Sequence, residues 1–153
     1  MSQRGPTQTN PKTILLAGEE DHLRHELAQC LRFARFEVVE ARNGEEAVAR
    51  LTAGTAPFLL ITDVDMSGAV DGTRLARFAR VWKPGIKILF MSGRLDMVEL
   101  LGVADASFAK PVDPGQLMAV VQYLADTTCD NSRELQRSAV NRPTSDTSIG
   151  TEN

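Results

Sequence analysis

Apolar residues fall along this chain in two rhythms. Largely apolar runs at 13–17, 58–62 and 86–91 alternate with stretches where Leu, Ala and Val recur every three or four positions. The runs read as strands buried on both faces, and the spaced stretches as amphipathic helices. From Asp21, Leu23, Leu27, Leu31 and Ala34 share one helical face with Cys30 beside them, and Arg24, Glu26, Arg32 and Arg35 lie mostly opposite. Phe36–Ala41 mixes β-branched and charged residues, which predicts a strand nearer an edge. Asn43 is placed to cap the next helix, with Glu46 at the capping-box position. Ala47, Val48 and Leu51 form its apolar face, and Gly54 and Pro57 end it. Asp71 caps a third helix facing inward through Leu75, Phe78, Ala79 and Trp82, stopped by Pro84-Gly85.

The remainder is shorter in pattern. A brief helix is expected over 94–103, around Val98, Leu100 and Leu101, followed by a strand at 106–109. Asp113-Pro114-Gly115-Gln116 combines a capping acid, a proline at the first helical position and a glutamine at the third. Leu117, Val120, Val121 and Leu124 complete that helix's buried face. Residues 1–11 and 127–153 are polar and read as disordered tails around one domain, 12–126. Five strands alternating with five helices imply a doubly wound α/β domain with a five-stranded parallel sheet, (βα)5, and right-handed crossovers.

Composition narrows the function. The net charge of −3 over 153 residues gives no bulk attraction to nucleic acid. The two cysteines, Cys30 and Cys129, have no metal-ligand spacing and form no disulfide framework. Cys30 is expected as a small core residue. No apolar run nears the ~20 residues of a membrane span, and the N-terminus lacks a signal-peptide core. The chain reads as cytoplasmic, with no membrane partner.

The chemistry gathers at strand ends. Leu59-Leu60-Ile61-Thr62-Asp63 is an apolar run closed by an acid, and ligands of open α/β sheets bind outside the carboxyl ends of the strands. The other strands end at Glu19, with Glu20 and Asp21 behind it, at Ser92 and at Lys110. Clustered carboxylates suit Mg²⁺. A hydroxyl and an ammonium suit phosphoryl oxygens, and an aspartate can attack phosphorus to form an acyl phosphate. Each feature alone has a plainer explanation: a helix-starting acid run, a turn, a loop.

In these stretches the chain resembles the receiver domain of two-component response regulators. The pieces are Ile14-Leu15-Leu16-Ala17-Gly18-Glu19-Glu20, Ala41-Arg42-Asn43-Gly44-Glu45-Glu46-Ala47, Ile61-Thr62-Asp63-Val64-Asp65-Met66, Asp71-Gly72, Ile88-Leu89-Phe90-Met91-Ser92-Gly93 and Phe108-Ala109-Lys110-Pro111. The resemblance implies a flavodoxin-like fold of strand order 2-1-3-4-5, with Asp63 as phospho-acceptor. It implies Mg²⁺ held by Asp63, Glu19 and the backbone carbonyl of Asp65. Ser92 would follow the phosphoryl group, Lys110 would pair with its oxygens, and the Lys110–Pro111 bond would be cis. Arg94 and Asp65 occupy the positions that modulate hydrolysis. The implied partners are a histidine kinase or histidine phosphotransfer protein and an unknown output protein, the receiver being a monomer or weak homodimer.

The chain departs from the family pattern at several places. Gly18 replaces the first of two acids after strand 1, and Glu19 replaces the usual Asp, which should weaken Mg²⁺ binding. Glu20 is a further candidate ligand, one residue late. Ser67 stands where a proline is usual, in a loop one residue longer than the commonest form. Ser107 occupies the aromatic switch position, with Phe108 beside it, and the segment from Ser92 to Lys110 is short. Three readings follow. The chain is a single-domain response regulator, a degenerate receiver binding partners without phosphorylation, or a haloacid-dehalogenase-like phosphatase built on Asp63-Val64-Asp65-Met66-Ser67. The last motif normally sits on the first strand of its domain, and no later acidic pair follows Lys110.

Overall fold

The computed structural model describes residues 12–93 and 102–127. Five strands, β1 (Thr13–Ala17), β2 (Glu37–Ala41), β3 (Leu59–Asp63), β4 (Lys87–Ser92) and β5 (Ala106–Ala109), form one sheet in the order β2-β1-β3-β4-β5. Every pairing is parallel. Helices α1 (Asp21–Phe33), α2 (Gly44–Thr52) and α3 (Gly72–Trp82) connect the early strands, and a last helix, α4, covers 114–127. The alternation predicts this doubly wound parallel sheet, and the resemblance implies its flavodoxin-like strand order. The short helix expected at 94–103 falls mostly outside the described residues, as do both predicted tails apart from residue 127. Two compact units divide the chain, Met1–Met118 and Ala119–Asn153. The sheet, α1 to α3 and the start of α4 lie in the first, and the described part of the second is the rest of α4.

Period-two alternation sorts the buried strand residues onto two faces. Leu15, Ala17, Leu60, Ile88 and Phe90 join Ala47, Leu51, Leu75 and Ala79 in one core cluster beneath α2 and α3. Ile14, Leu16, Leu59, Ile61 and Leu89, all fully buried, point the other way, and α1 lies against β1 and β2. All five residues of β3 are buried, as a strand hydrogen-bonded on both sides and covered on both faces must be. β2, at the sheet edge, keeps Glu37 exposed and Glu40 half-buried, the mixed composition that marks an edge in the sequence.

Local capping works as the sequence signals. Asn43 Oδ1 accepts from Glu46 N–H at 2.7 Å, and Asp71 Oδ1 accepts from Arg74 N–H at 2.9 Å. Glu46 reaches back to Arg42 N–H at 2.7 Å, one residue beyond the usual capping-box partner. Three expectations need correction. Trp82 is 52% exposed, its ring stacked on Phe78 with centroids 5.7 Å apart. Cys30 is only partly buried. Arg24, expected on the polar face, has a side chain only 11% exposed.

Just past α1, Arg35 has a φ of 78°, a left-handed conformation that costs a side chain with a Cβ. Its N–H bonds Arg32 O at 2.9 Å, while Phe36 N–H bonds Leu31 O at 3.1 Å, closing the helix end. Arg35→Gly is therefore expected to stabilise the fold by about 0.5–1 kcal/mol, read as a higher urea midpoint. An unchanged or lower midpoint would show that the arginine side chain offsets its backbone strain.

Candidate functional site

The sheet register delivers the site. Asp63 is the last residue of β3 and pairs in register with Met91, next to Ser92. Ser92 pairs with Ala109, next to Lys110. Beyond the ladder, Val64 N–H bonds Met91 O at 3.0 Å and Lys110 N–H bonds Ser92 O at 3.0 Å. On the other side Gly18 N–H bonds Ala41 O at 3.1 Å, prolonging β1. Four strand ends thus open onto one edge at the point where strand order reverses, the crevice such sheets use for ligands.

Asp63 is 5% exposed and Ser92 3%. Lys110 Nζ lies 2.8 Å from Asp63 Oδ1 and 3.2 Å from Glu20 Oε1, so one ammonium bridges two carboxylates. The contact with Asp63 is an ion pair, and among the described residues Oδ1 has no other hydrogen-bond donor. Burial pushes the Asp63 carboxyl above its usual range, Glu20's charge adds to this, and the Lys110 ammonium and the Glu19 amide oppose it. For Lys110, burial works to lower the value, but Asp63 and Glu20 outweigh it and hold the amine above the usual range. The asymmetry follows from exposure: the lysine side chain keeps 30% of its surface in water, the aspartate 6%.

Close backbone approach fixes where Asp63 sits. Gly72, the first residue of α3, leaves no space for a side chain: a Cβ there would lie 1.8 Å from the Asp63 carbonyl oxygen. Gly72 N–H also bonds Val64 O at 2.9 Å. A Cβ on Gly18 would stand 2.9 Å from Asp63 Oδ2. The site is therefore drawn in over the glycine that replaces the family's first acid. Arg24 holds this turn from behind, donating to Gly18 O at 2.8 Å and to Glu40 Oε1 at 2.9 Å.

The structure brings Asp63, Lys110 and Glu20 into direct contact, with Ser92 adjacent. It handles the other predicted residues differently. Glu19 is turned onto the loop after β3, where its Oε2 accepts from Ser67 N–H at 2.7 Å and from the Ser67 hydroxyl. Glu20, a candidate metal ligand in the sequence, contacts Lys110. Asp65 and Ser107 are exposed and Phe108 is half-buried. The Lys110–Pro111 bond is cis. Arg94 lies outside the described residues. Among the described residues no three carboxylate, imidazole or thiolate side chains converge as a metal set.

The donor chemistry still suits Mg²⁺. The ion needs only one or two protein carboxylates and keeps several waters. Asp63 offers a buried oxygen short of donors, and Glu19 Oε1 receives no hydrogen bond from Ser67. Sequence reasoning missed Ser67 and Arg24 as parts of the site. The only signal for Ser67 was its replacement of a proline, which restores a backbone N–H.

A parallel sheet of this order, with an acid, a hydroxyl and an amine at successive strand ends, defines the CheY-like class of the flavodoxin-like fold. Residues 14–122 match the response regulator receiver domain family, and the chain belongs to it. Over 83 residues it is 40% identical to the response regulator receiver protein CpdR of Brucella abortus, which covers 54% of this chain and 67% of CpdR. A response regulator receiver protein from Sinorhizobium medicae is 31% identical with a TM-score of 0.70, covering 77% of this chain and 97% of that one. The response regulator TrrA of Thermotoga maritima, solved in complex with Mg²⁺-BeF, is 29% identical with a TM-score of 0.66, covering 74% and 98%. No helix of the described residues is long and apolar enough to cross a membrane.

Proposed function

We propose that this receiver takes a phosphoryl group on Asp63 from a histidine kinase or phosphotransfer protein and signals by protein–protein contact. The observation that carries the reading is the buried Asp63 carboxylate, short of hydrogen-bond donors on Oδ1 and faced by Lys110 Nζ at 2.8 Å. A carboxylate so placed is desolvated and reachable from one side, with a cation beside it to offset the charge of an incoming phosphoryl group. In the transfer a carboxylate oxygen of Asp63 bonds to phosphorus, and the bond from phosphorus to the donor imidazole nitrogen breaks. The nitrogen keeps the electron pair, and the product is an acyl phosphate. Mg²⁺, when bound by Asp63, Glu19 and the Asp65 carbonyl, supplies charge neutralisation and orientation of the phosphoryl oxygens. Lys110 is then free to exchange its contact with Asp63 for a phosphoryl oxygen, with Glu20 holding it in place. Ser92, buried one residue from Asp63 across the ladder, offers its hydroxyl to the same group. Ser107, Phe108 and Pro111 lie on or just after β5, where a change of charge at Asp63 would be read out, and Arg94 is kept as a modulating residue from its place in the sequence alone. We place the protein in the cytoplasm, as a monomer or weak homodimer without nucleic-acid or membrane partners.

A second reading has its own observation. Gly18 lacks a carboxylate and Glu19 is occupied by Ser67, which would suit a receiver that binds its partner without phosphorylation. Family membership leaves the phosphatase alternative without separate support, since receivers are signalling domains. Incubation with acetyl phosphate and Mg²⁺, read by intact mass, decides between the first two. One added phosphoryl group is expected on the wild type. A well-folded wild type that gains none sinks the phosphorylation reading.

A further inference from the structure

Two glutamates from different elements hold the loop between β3 and α3. Glu45, in the first turn of α2, accepts from Ala69 N–H at 2.9 Å, and its carboxylate lies against Gly68, whose φ is +94°. Glu19, after β1, accepts from Ser67. The loop is also closed at its far end by the bond from Gly72 N–H to Val64 O. It is therefore anchored without Glu19, and the Ser67 contacts do more to fix Glu19 than to fix the loop.

Ser67 is built for this role in two ways. A proline at this position would have no N–H to give, and the serine adds a hydroxyl to the same carboxylate oxygen. Glu19 has the extra methylene over aspartate that lets its carboxylate reach outward to this loop. Bonds from two donors to an ionised acceptor are among the stronger ones available at a surface. The bonds to Oε2 fix the direction of the whole carboxylate, Oε1 included, so turning it toward a cation beside Asp63 weakens them.

We propose that Ser67 is a positioning residue that holds Glu19 in a cation-free arrangement, so that Mg²⁺ binds by drawing Glu19 away from Ser67. This rests on the reading of Asp63 as a Mg²⁺-dependent phospho-acceptor and adds to it a latch peculiar to this chain's Glu19–Ser67 pair. The latch lowers Mg²⁺ affinity and links occupancy of the site to the state of the β3–α3 loop.

The test is a calorimetric titration of the full chain with MgCl₂, on the wild type, Ser67→Ala and Ser67→Thr. Ser67→Ala removes the hydroxyl and keeps the amide, so it should bind Mg²⁺ about three- to tenfold more tightly. Ser67→Thr restores a hydroxyl and should return to the wild-type value. In parallel, the Ser67 amide proton of the wild type should move upfield in ¹⁵N-resolved NMR spectra as Mg²⁺ saturates, because it loses its carboxylate acceptor. A merely structural Ser67 would change thermal stability without these two shifts. Equal or weaker binding by Ser67→Ala, or an unmoved Ser67 amide, overturns the latch and leaves the phospho-acceptor reading standing. Absence of Mg²⁺ binding in all three proteins, with no acetyl phosphate adduct, overturns both.

Discussion

Gly72→Ala is expected to lower the unfolding free energy by about 3 kcal/mol or more. The added Cβ would sit 1.8 Å from the Asp63 carbonyl oxygen, 2.8 Å from its carbonyl carbon and 2.8 Å from Val64 Cα. All three are backbone atoms of a central strand or the residue after it, so no side-chain rotation relieves the overlap. Either α3 must lift away from the sheet or the end of β3 must shift. The first exposes Leu75, Ala76 and Ala79, which are fully buried. The second moves Asp63 itself. Urea unfolding would show the loss, and acetyl phosphate labelling of whatever fraction stays folded should be slowed. Gly85, where an added Cβ would meet nothing within 4 Å, provides the control. Gly85→Ala should change stability by no more than about 0.5 kcal/mol. Similar effects at the two glycines would show that the approach of α3 to β3 is not tight.

Asp63→Asn is expected to have two effects of opposite character. Labelling by acetyl phosphate should vanish, because an amide is not a nucleophile of this kind, while stability without Mg²⁺ should rise at neutral pH. Burial raises the Asp63 carboxyl above its ordinary value. Between the ordinary and the raised value the native state holds the proton more tightly than the unfolded chain does. Stability therefore falls as pH rises through that window and remains lower above it. The neutral amide escapes this cost, although it also loses the attraction of Lys110, so the net gain should be about 1 kcal/mol. The pH profile of the melting temperature should lose the acid-side decline that the wild type shows on raising pH through the window. A variant less stable than the wild type at neutral pH would mean that the Lys110 pair outweighs the burial of the carboxylate. Saturating Mg²⁺ should narrow the difference, since a bound cation stabilises only the protein that still carries the carboxylate.

The site is partly legible in the sequence, and the division follows the range of the interactions. Asn43 and Asp71 cap their helices from three residues away, within reach of local pattern reading. The apolar run into Asp63 needs only period and length, since a strand covered on both faces has no polar side to show. Ser92 and Lys110 can be placed at strand ends because successive parallel strands point the same way. The contacts that tune the site are not legible. Ser67 meets Glu19 across 48 positions and Lys110 meets Glu20 across 90, and only the proline missing at Ser67 hints at either meeting. Arg24 reads as a solvent-facing residue because it is charged, yet Gly18 O, Glu40 and Asp21 gather around it and make its burial tolerable. Trp82 reads as a core residue by its spacing from Phe78, yet in the last turn of α3 it stacks on that ring at the surface.

By itself the order of residues determined that this is a five-stranded parallel α/β domain with an acid, a hydroxyl and an amine at its carboxyl edge. Hydrophobic period, helix caps and strand-terminal residues are local properties, and each acts over a few positions. Only the tertiary structure decided how the acids are employed: Glu20 on Lys110, Glu19 on Ser67, and Asp63 desolvated over a glycine. Those assignments depend on which loops the twisted sheet brings within hydrogen-bonding distance, and on how far each carboxylate is removed from water when they meet.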